Sequence, residues 1–65
     1  MRRFPTLEER VRILNDIGKE FEDDKIGTVK YRDGDYIMIK LDKSGVLVER
    51  YPSEIDSIEI ISHSR

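Results

Sequence analysis

Residues 26–51 read IGTVKYRDGDYIMIKLDKSGVLVERY, three runs rich in β-branched and aromatic residues separated by two turn signals. Asp33-Gly34, set between the first two runs, marks a hairpin. The length of its loop depends on which side chains must meet. A two-residue loop at Asp33-Gly34 sets Val29 against Met38 and Lys30 against Ile37, which buries a lysine beside an isoleucine. A three-residue loop, Arg32-Asp33-Gly34, sets Val29 against Ile37 and Tyr31 against Asp35. It leaves Val29, Ile37, Ile39 and Leu41 on one face with Tyr31 at its edge. A slip of one residue would turn that whole set outward. The spacing therefore predicts the three-residue loop, a type I turn with Gly34 left-handed in a bulge. In the second hairpin, a four-residue loop Asp42-Lys43-Ser44-Gly45 puts Leu41 opposite Val46 and Ile39 opposite Val48. Lys40 and Glu49, with Tyr36 and Met38, fall on the other face. A three-stranded sheet with one apolar side needs a cover.

The rest of the composition points the same way. The chain holds nine isoleucines and no alanine, glutamine or tryptophan, a balance that favours strand over helix. Its 65 residues fit one domain over 1–65, with the barrel core expected across 9–61. Charged residues make up 40% and the two signs nearly cancel, to −2; so much isoleucine beside them reads as a folded domain, not a disordered one. Without cysteine, and with one histidine, the chain has neither disulfides nor the usual zinc ligand sets. No metal and no cofactor is expected. No run approaches ~20 apolar residues, and MRRFP lacks an apolar signal core, so a cytoplasmic protein without a membrane span is expected.

The flanks are less decided. Thr6 to Gly18 reads two ways. As a helix over 7–17, Thr6 and Glu9 form a capping box, Leu7, Val11, Leu14 and Ile17 share a face, and Gly18 ends it. The domain would then be α+β. As a strand, Arg10-Val11-Arg12-Ile13 alternates outward charge with inward aliphatic. The strand is preferred, because it supplies the second apolar layer that the meander needs. Asn15 to Lys25 is a long loop, and a structureless loop of this length is often functional. Phe21 is expected to fold back onto the core, with Glu20, Glu22, Asp23 and Asp24 solvated. Pro52 ends the fourth strand. Pro52-Ser53-Glu54 suits one tight helical turn with Ile55 pointing inward, and Ile58 and Ile60 lead a short last strand.

This order resembles that of SH3-like small barrels of the KOW and Tudor type. It is also similar to the small SH3-like subunit of photosystem I and to short phage and bacterial proteins with such barrels. The likeness rests on RVRIL at 10–14, GTV at 27–29, IKLD at 39–42 and YPSEI at 51–55. It implies an all-β, five-stranded, half-open barrel with a loop like the RT loop at 15–26 and a short helical turn before the last strand. The chain has no ALYDY-like stretch and no tryptophan pair of the kind that signalling SH3 domains use for proline-rich peptides. It carries no set of residues matching a Tudor aromatic cage. None of these families' functional residues is carried over.

Catalysis is not expected. His63 sits in a polar tail, and turn or loop solvation accounts for Asp23-Asp24 and Asp33/Asp35 better than acid–base or calcium chemistry does. Gly27, Gly34 and Gly45 are isolated turn glycines and do not make a phosphate cradle. A non-catalytic module that docks a protein partner or assembly fits the near-neutral mixed charge. Its candidate contacts are Glu20, Phe21 and Glu22 on the long loop with Tyr36 and Tyr51. The alternative is a KOW-like RNA- or DNA-binding module using Lys30, Arg32, Lys40, Lys43 and Arg50, with Tyr31, Tyr36 and Tyr51 stacking on bases. The acidic balance argues against that alternative. The chain is expected to be a monomer or a weak homo-oligomer, since an open barrel leaves strand edges that can pair.

Overall fold

Odd-numbered aliphatics of the second run, Ile37, Ile39 and Leu41, do face inward, and the architecture follows from them. The computed structural model describes residues 3–61. Five strands, β1 (Arg10–Ile13), β2 (Ile26–Arg32), β3 (Ile37–Leu41), β4 (Leu47–Arg50) and β5 (Ile58–Ile60), form one antiparallel sheet in the order β4-β3-β2-β1-β5. The sheet curls into a half-barrel. Only two short 3-10 segments interrupt it, Lys19–Phe21 in the β1–β2 loop and Pro52–Ser57 before β5. Val11, Ile13, Val29, Ile37, Ile39, Leu41 and Ile58 are buried together, and Phe4, Ile17, Phe21, Val48 and Ile60 pack against them. Each such aliphatic side chain is worth about 1.5–3 kcal/mol when fully buried. The core proper is thus aliphatic, with both phenylalanines at its margin. Among the described residues no helix is long and apolar enough to cross a membrane. His63 lies outside the described residues.

At the N-terminus the strand reading holds and the helix does not form. Thr6 and Glu9 make one of the two contacts of a capping box, in a different setting. The Thr6 N–H donates to Glu9 Oε1 at 2.8 Å and the Glu9 N–H to the Thr6 carbonyl at 3.2 Å. They close a turn at Leu7-Glu8, where Glu8 adopts φ 69°, and β1 starts directly after it. Residues Arg3 to Pro5 form a strap over the barrel mouth, with Pro5 buried. The strap is tied by Arg3 to Glu9 and by the Arg32 guanidinium, which donates to the Pro5 carbonyl at 2.7 Å.

The second hairpin has the expected register. Ile39 pairs with Val48, and the Leu41 N–H donates to the Val46 carbonyl at 2.9 Å across the four-residue loop. Val46 itself stays exposed, at the open end of the face. The first hairpin differs from expectation. Val29 pairs with Ile39, Tyr31 with Met38 and Arg32 with Ile37, with a register shift between Val29 and Tyr31. The Asp33 N–H donates to the Tyr36 carbonyl at 2.8 Å, so Gly34-Asp35 is the tip. The bulge therefore sits inside β2, and Gly34 is not left-handed; the positive-φ glycines are Gly18 and Gly45. Both solutions keep Val29 inside. The observed one places the extra residue where the strand must bend, and it turns Tyr31 outward instead of leaving it at the core's edge.

Two polar residues that sequence reasoning placed in solvent are buried. Asp24, 5% exposed, accepts the backbone N–H groups of Lys43 and Ser44 at 2.9 and 2.8 Å. It thereby ties the long loop to the β3–β4 turn. Burial opposes its charged form, but the hydrogen bonds from Ser44 and Lys43 outweigh burial and hold its carboxyl below the usual aspartate value. Arg50, 8% exposed, pairs with Ile37 on the core side. It donates to the Glu49 carbonyl at 2.7 Å and to Asn15 Oδ1 at 3.0 Å, while its Nε has no partner among the described residues.

Gly27 and Gly34 should respond in opposite ways to alanine. A Cβ at Gly27 would meet the Lys40 carbonyl oxygen and Ile39 Cγ2, and a close backbone contact cannot yield cheaply. Gly27→Ala should cost about 1–3 kcal/mol or more. Nothing lies within 4 Å of a Cβ at Gly34, so Gly34→Ala should be neutral or stabilise by up to about 1 kcal/mol. Urea denaturation of both variants checks this; a large loss at Gly34 would restore the left-handed turn glycine.

Glu9 links the strap to pH. The Arg3 hydrogen bond lowers its carboxyl pKa most, burial opposes, and Thr6 and the Arg3 charge add to the lowering, bringing it from 4.5 to about 2. A carboxylate depressed on folding contributes stability that is complete above its unfolded value and is lost as pH falls through the folded one. Acid titration of stability should therefore be flatter between about 4.5 and about 2 in Glu9→Gln than in the wild type. Equal slopes would place the acid sensitivity elsewhere.

Candidate functional site

The bulge in β2 sets up the surface of interest. Residues that follow it reverse their facing, so Tyr31 shares the outer face with its partner Met38. Tyr36 precedes the inward Ile37 and Tyr51 follows the inward Arg50, so both also face out. The three rings form a row across the ends of β2, β3 and β4. Ring centroids of Tyr31 and Tyr36 are 5.6 Å apart with planes at 43°, and those of Tyr36 and Tyr51 are 5.7 Å apart at 35°. Tilted, offset pairs at such distances are favourable, by about 0.5–1.5 kcal/mol each beyond the area they bury. Tyr31 and Tyr51 remain 45% and 46% exposed. Half-buried Met38 lies beside the row, and exposed Leu47 two register pairs further along. These three are all the tyrosines of the chain, which also lacks tryptophan.

Carboxylates flank the row. The Tyr31 hydroxyl donates to Asp33 Oδ2 at 3.4 Å, and Asp33 Oδ1 accepts the Asp35 N–H at 3.3 Å, an Asx-type brace of the hairpin tip. Glu54 accepts the Tyr51 N–H at 2.9 Å, and exposed Glu49 pairs with Met38. The nearby charges of Asp33, then Tyr36, with burial and the Asp33 hydrogen bond, raise the Tyr31 phenol above the usual tyrosine value.

The expected docking set does not come together as one surface. Tyr36 and Tyr51 join Tyr31, which sequence reasoning had assigned only to base stacking. Glu20 and Glu22 are exposed on the long loop. Asp24 anchors that loop to the β3–β4 turn, at the other end of the β2–β3 ribbon from the tyrosines. Phe21 packs against the core as expected and is only partly exposed. The alternative basic set is scattered. Lys30 faces Glu8 at 3.4 Å. Arg32 bends onto the strap, 5.1 Å from the Phe4 ring centroid. Lys40 lies on the outer face and Lys43 at the β3–β4 turn. Buried Arg50 cannot present its guanidinium to a phosphate as it stands.

Elsewhere, a cleft of about 480 Å³ opens between the strap and β5, lined by Pro5, Leu14, Ile55, Ile58 and Ile60 with Arg3 and Glu59. Among the described residues no group of three or more His, Cys, Asp or Glu side chains is placed to hold a metal ion. The chain matches no protein-family model, no curated protein and no solved structure.

The phenol of Tyr31 offers a direct check of the hairpin geometry. Its ring resonances should titrate above the value of free tyrosine, and Asp33→Asn should lower the midpoint, because the carboxylate no longer opposes the phenolate. An unchanged midpoint in Asp33→Asn would separate the two side chains.

Proposed function

We propose that this protein is a non-catalytic docking module that binds a protein partner through the outer face of the meander. The observation that carries this reading is the tyrosine row, with two of its three rings close to half exposed. Tyrosine is enriched at the energetic centres of protein interfaces because a rigid ring adds area at low entropic cost. Mutual stacking pre-organises the row, and Met38 and Leu47 extend it with apolar surface. The strand order and the 3-10 segment before β5 support kinship with SH3-like barrels, many of which work by docking other macromolecules. A fold of this kind hosts many unrelated tasks, so the argument rests on the surface and not on the architecture. The second reading, RNA or DNA binding, draws on the same rings, but carboxylates stand beside them and the basic side chains are dispersed.

The test is affinity capture with the immobilised chain, comparing wild type with Tyr36→Ser and with a Glu20→Ser/Glu22→Ser variant, all shown folded by circular dichroism. A partner retained by the wild type should be lost with Tyr36→Ser and kept with the loop variant. The opposite pattern would move the site to the long loop. A gel shift with single-stranded RNA or duplex DNA that weakens steeply with salt, and with no captured protein, would favour the second reading.

A further inference from the structure

We propose that the occupant of the tyrosine row is an extended segment of a partner protein carrying cationic side chains, arginine above all, at alternate positions. This rests on the reading of the row as a docking surface and adds the chemistry of what docks there.

Charge complementarity carries the inference. The ionisable side chains tied by bond or register to the row are acidic: Asp33 at the Tyr31 hydroxyl, Asp35 beside Tyr36, Glu49 opposite Met38 and Glu54 at the Tyr51 N–H. Among the described residues neither Asp35 nor Glu49 has an ion-pair partner. The cations of the same end of the sheet are engaged away from it, Arg32 with the Pro5 carbonyl, Lys30 with Glu8, and buried Arg50 with Asn15 and the Glu49 carbonyl. Lys40 lies two register pairs beyond Glu49, opposite Leu47. A cation approaching the row thus meets π faces and carboxylates together, while a phosphate would meet the carboxylates first.

Spacing and ligand chemistry agree. An extended chain rises about 3.3 Å per residue, so alternate side chains stand about 6.6 Å apart. The rings repeat at 5.6 and 5.7 Å, and a cation within about 6 Å of a centroid is attracted. Successive cations can therefore each find a ring. Guanidinium suits the place better than ammonium, because it is planar, stacks on aromatic faces and binds carboxylates through two parallel hydrogen bonds.

The experiment follows the ring resonances of Tyr31, Tyr36 and Tyr51, supported by tyrosine fluorescence, which in this chain reports on the row alone. The probes are an N-acetylated, C-amidated Arg-Thr-Arg-Thr-Arg-Thr peptide, its Gln-Thr counterpart and a short oligothymidylate. The arginine peptide should shift all three rings saturably and lose affinity as salt rises. The folded double variant Asp35→Lys/Glu49→Lys should bind it about tenfold more weakly. Equal binding of the glutamine peptide would overturn the cationic occupant and leave the row as a docking surface. Tighter binding of oligothymidylate would replace both by nucleic-acid recognition. Rings unmoved by any of the three probes would overturn the inference, and partner capture sensitive to Tyr36→Ser would then still stand on its own.

Discussion

One extra residue in β2, between Val29 and Tyr31, reconciles two demands that a regular strand cannot meet. Val29 must face the core, because it sits opposite Ile39 among buried aliphatics. With strict alternation Tyr31 would then face the same way, into a space already narrowed by the Phe4-Pro5 strap. The register shift reverses the facing beyond Val29. Tyr31 moves to the outer face and Arg32 takes the inner side of the mouth, where its guanidinium holds the strap. A bulge also increases local twist, which suits a sheet that must curl within a few strands. Closure of the core mouth and assembly of the tyrosine row are therefore consequences of the same local irregularity.

Much of this was legible because parity is a strong constraint. A one-residue slip in β3 would bring three aliphatics into water, at about 1.5–3 kcal/mol each, so Ile37, Ile39 and Leu41 could be placed from the sequence. The second hairpin followed from them with its loop. The first hairpin did not, because bulges in the turn and in the strand satisfy the same parity at Val29. Asp33-Gly34 invites the turn solution; what favours the strand solution is the strap at the barrel mouth, a tertiary contact with no local signature. Asp24 was hidden for a related reason. One acid in the run Glu20-Phe21-Glu22-Asp23-Asp24 looks like another, and only the chain's return beside the β3–β4 turn singles out the one whose carboxylate meets two backbone N–H groups. Arg50 was misread because β4 alternates as Leu-Val-Glu-Arg, and a lone arginine at an inward position reads as a surface residue until the half-open barrel offers it Asn15.

The charged residues divide accordingly into those that serve the fold and those that do not. Asp24 caps a turn, Arg50 fills an inward position, and Arg10 forms a bidentate pair with Asp42 at 2.8 and 2.6 Å that spans β1 to the end of β3. The last of these is solvent-exposed and adds little stability. These four charges cancel, while the carboxylates of Asp33, Asp35, Glu49 and Glu54 stand beside the tyrosines. Net charge hides this, since a sum near zero says nothing about where each sign is spent structurally.

The placement of the aromatics carries the argument one step further. A 65-residue chain has few large side chains with which to fill a core. Here the fully buried cluster is built of valine, isoleucine and leucine, and every tyrosine stands on the outer face. Stacking across three strand ends does strengthen the sheet, as aromatic cross-strand pairs do, and that alone would be a sufficient reason for two adjacent rings. It is a weaker reason for rings that remain nearly half exposed, because the apolar area still in contact with water contributes nothing to folding. On the docking reading a second molecule would bury that remaining area, and the outer face of the meander, where Asp35 and Glu49 have no ion-pair partner among the described residues, is where that reading places it.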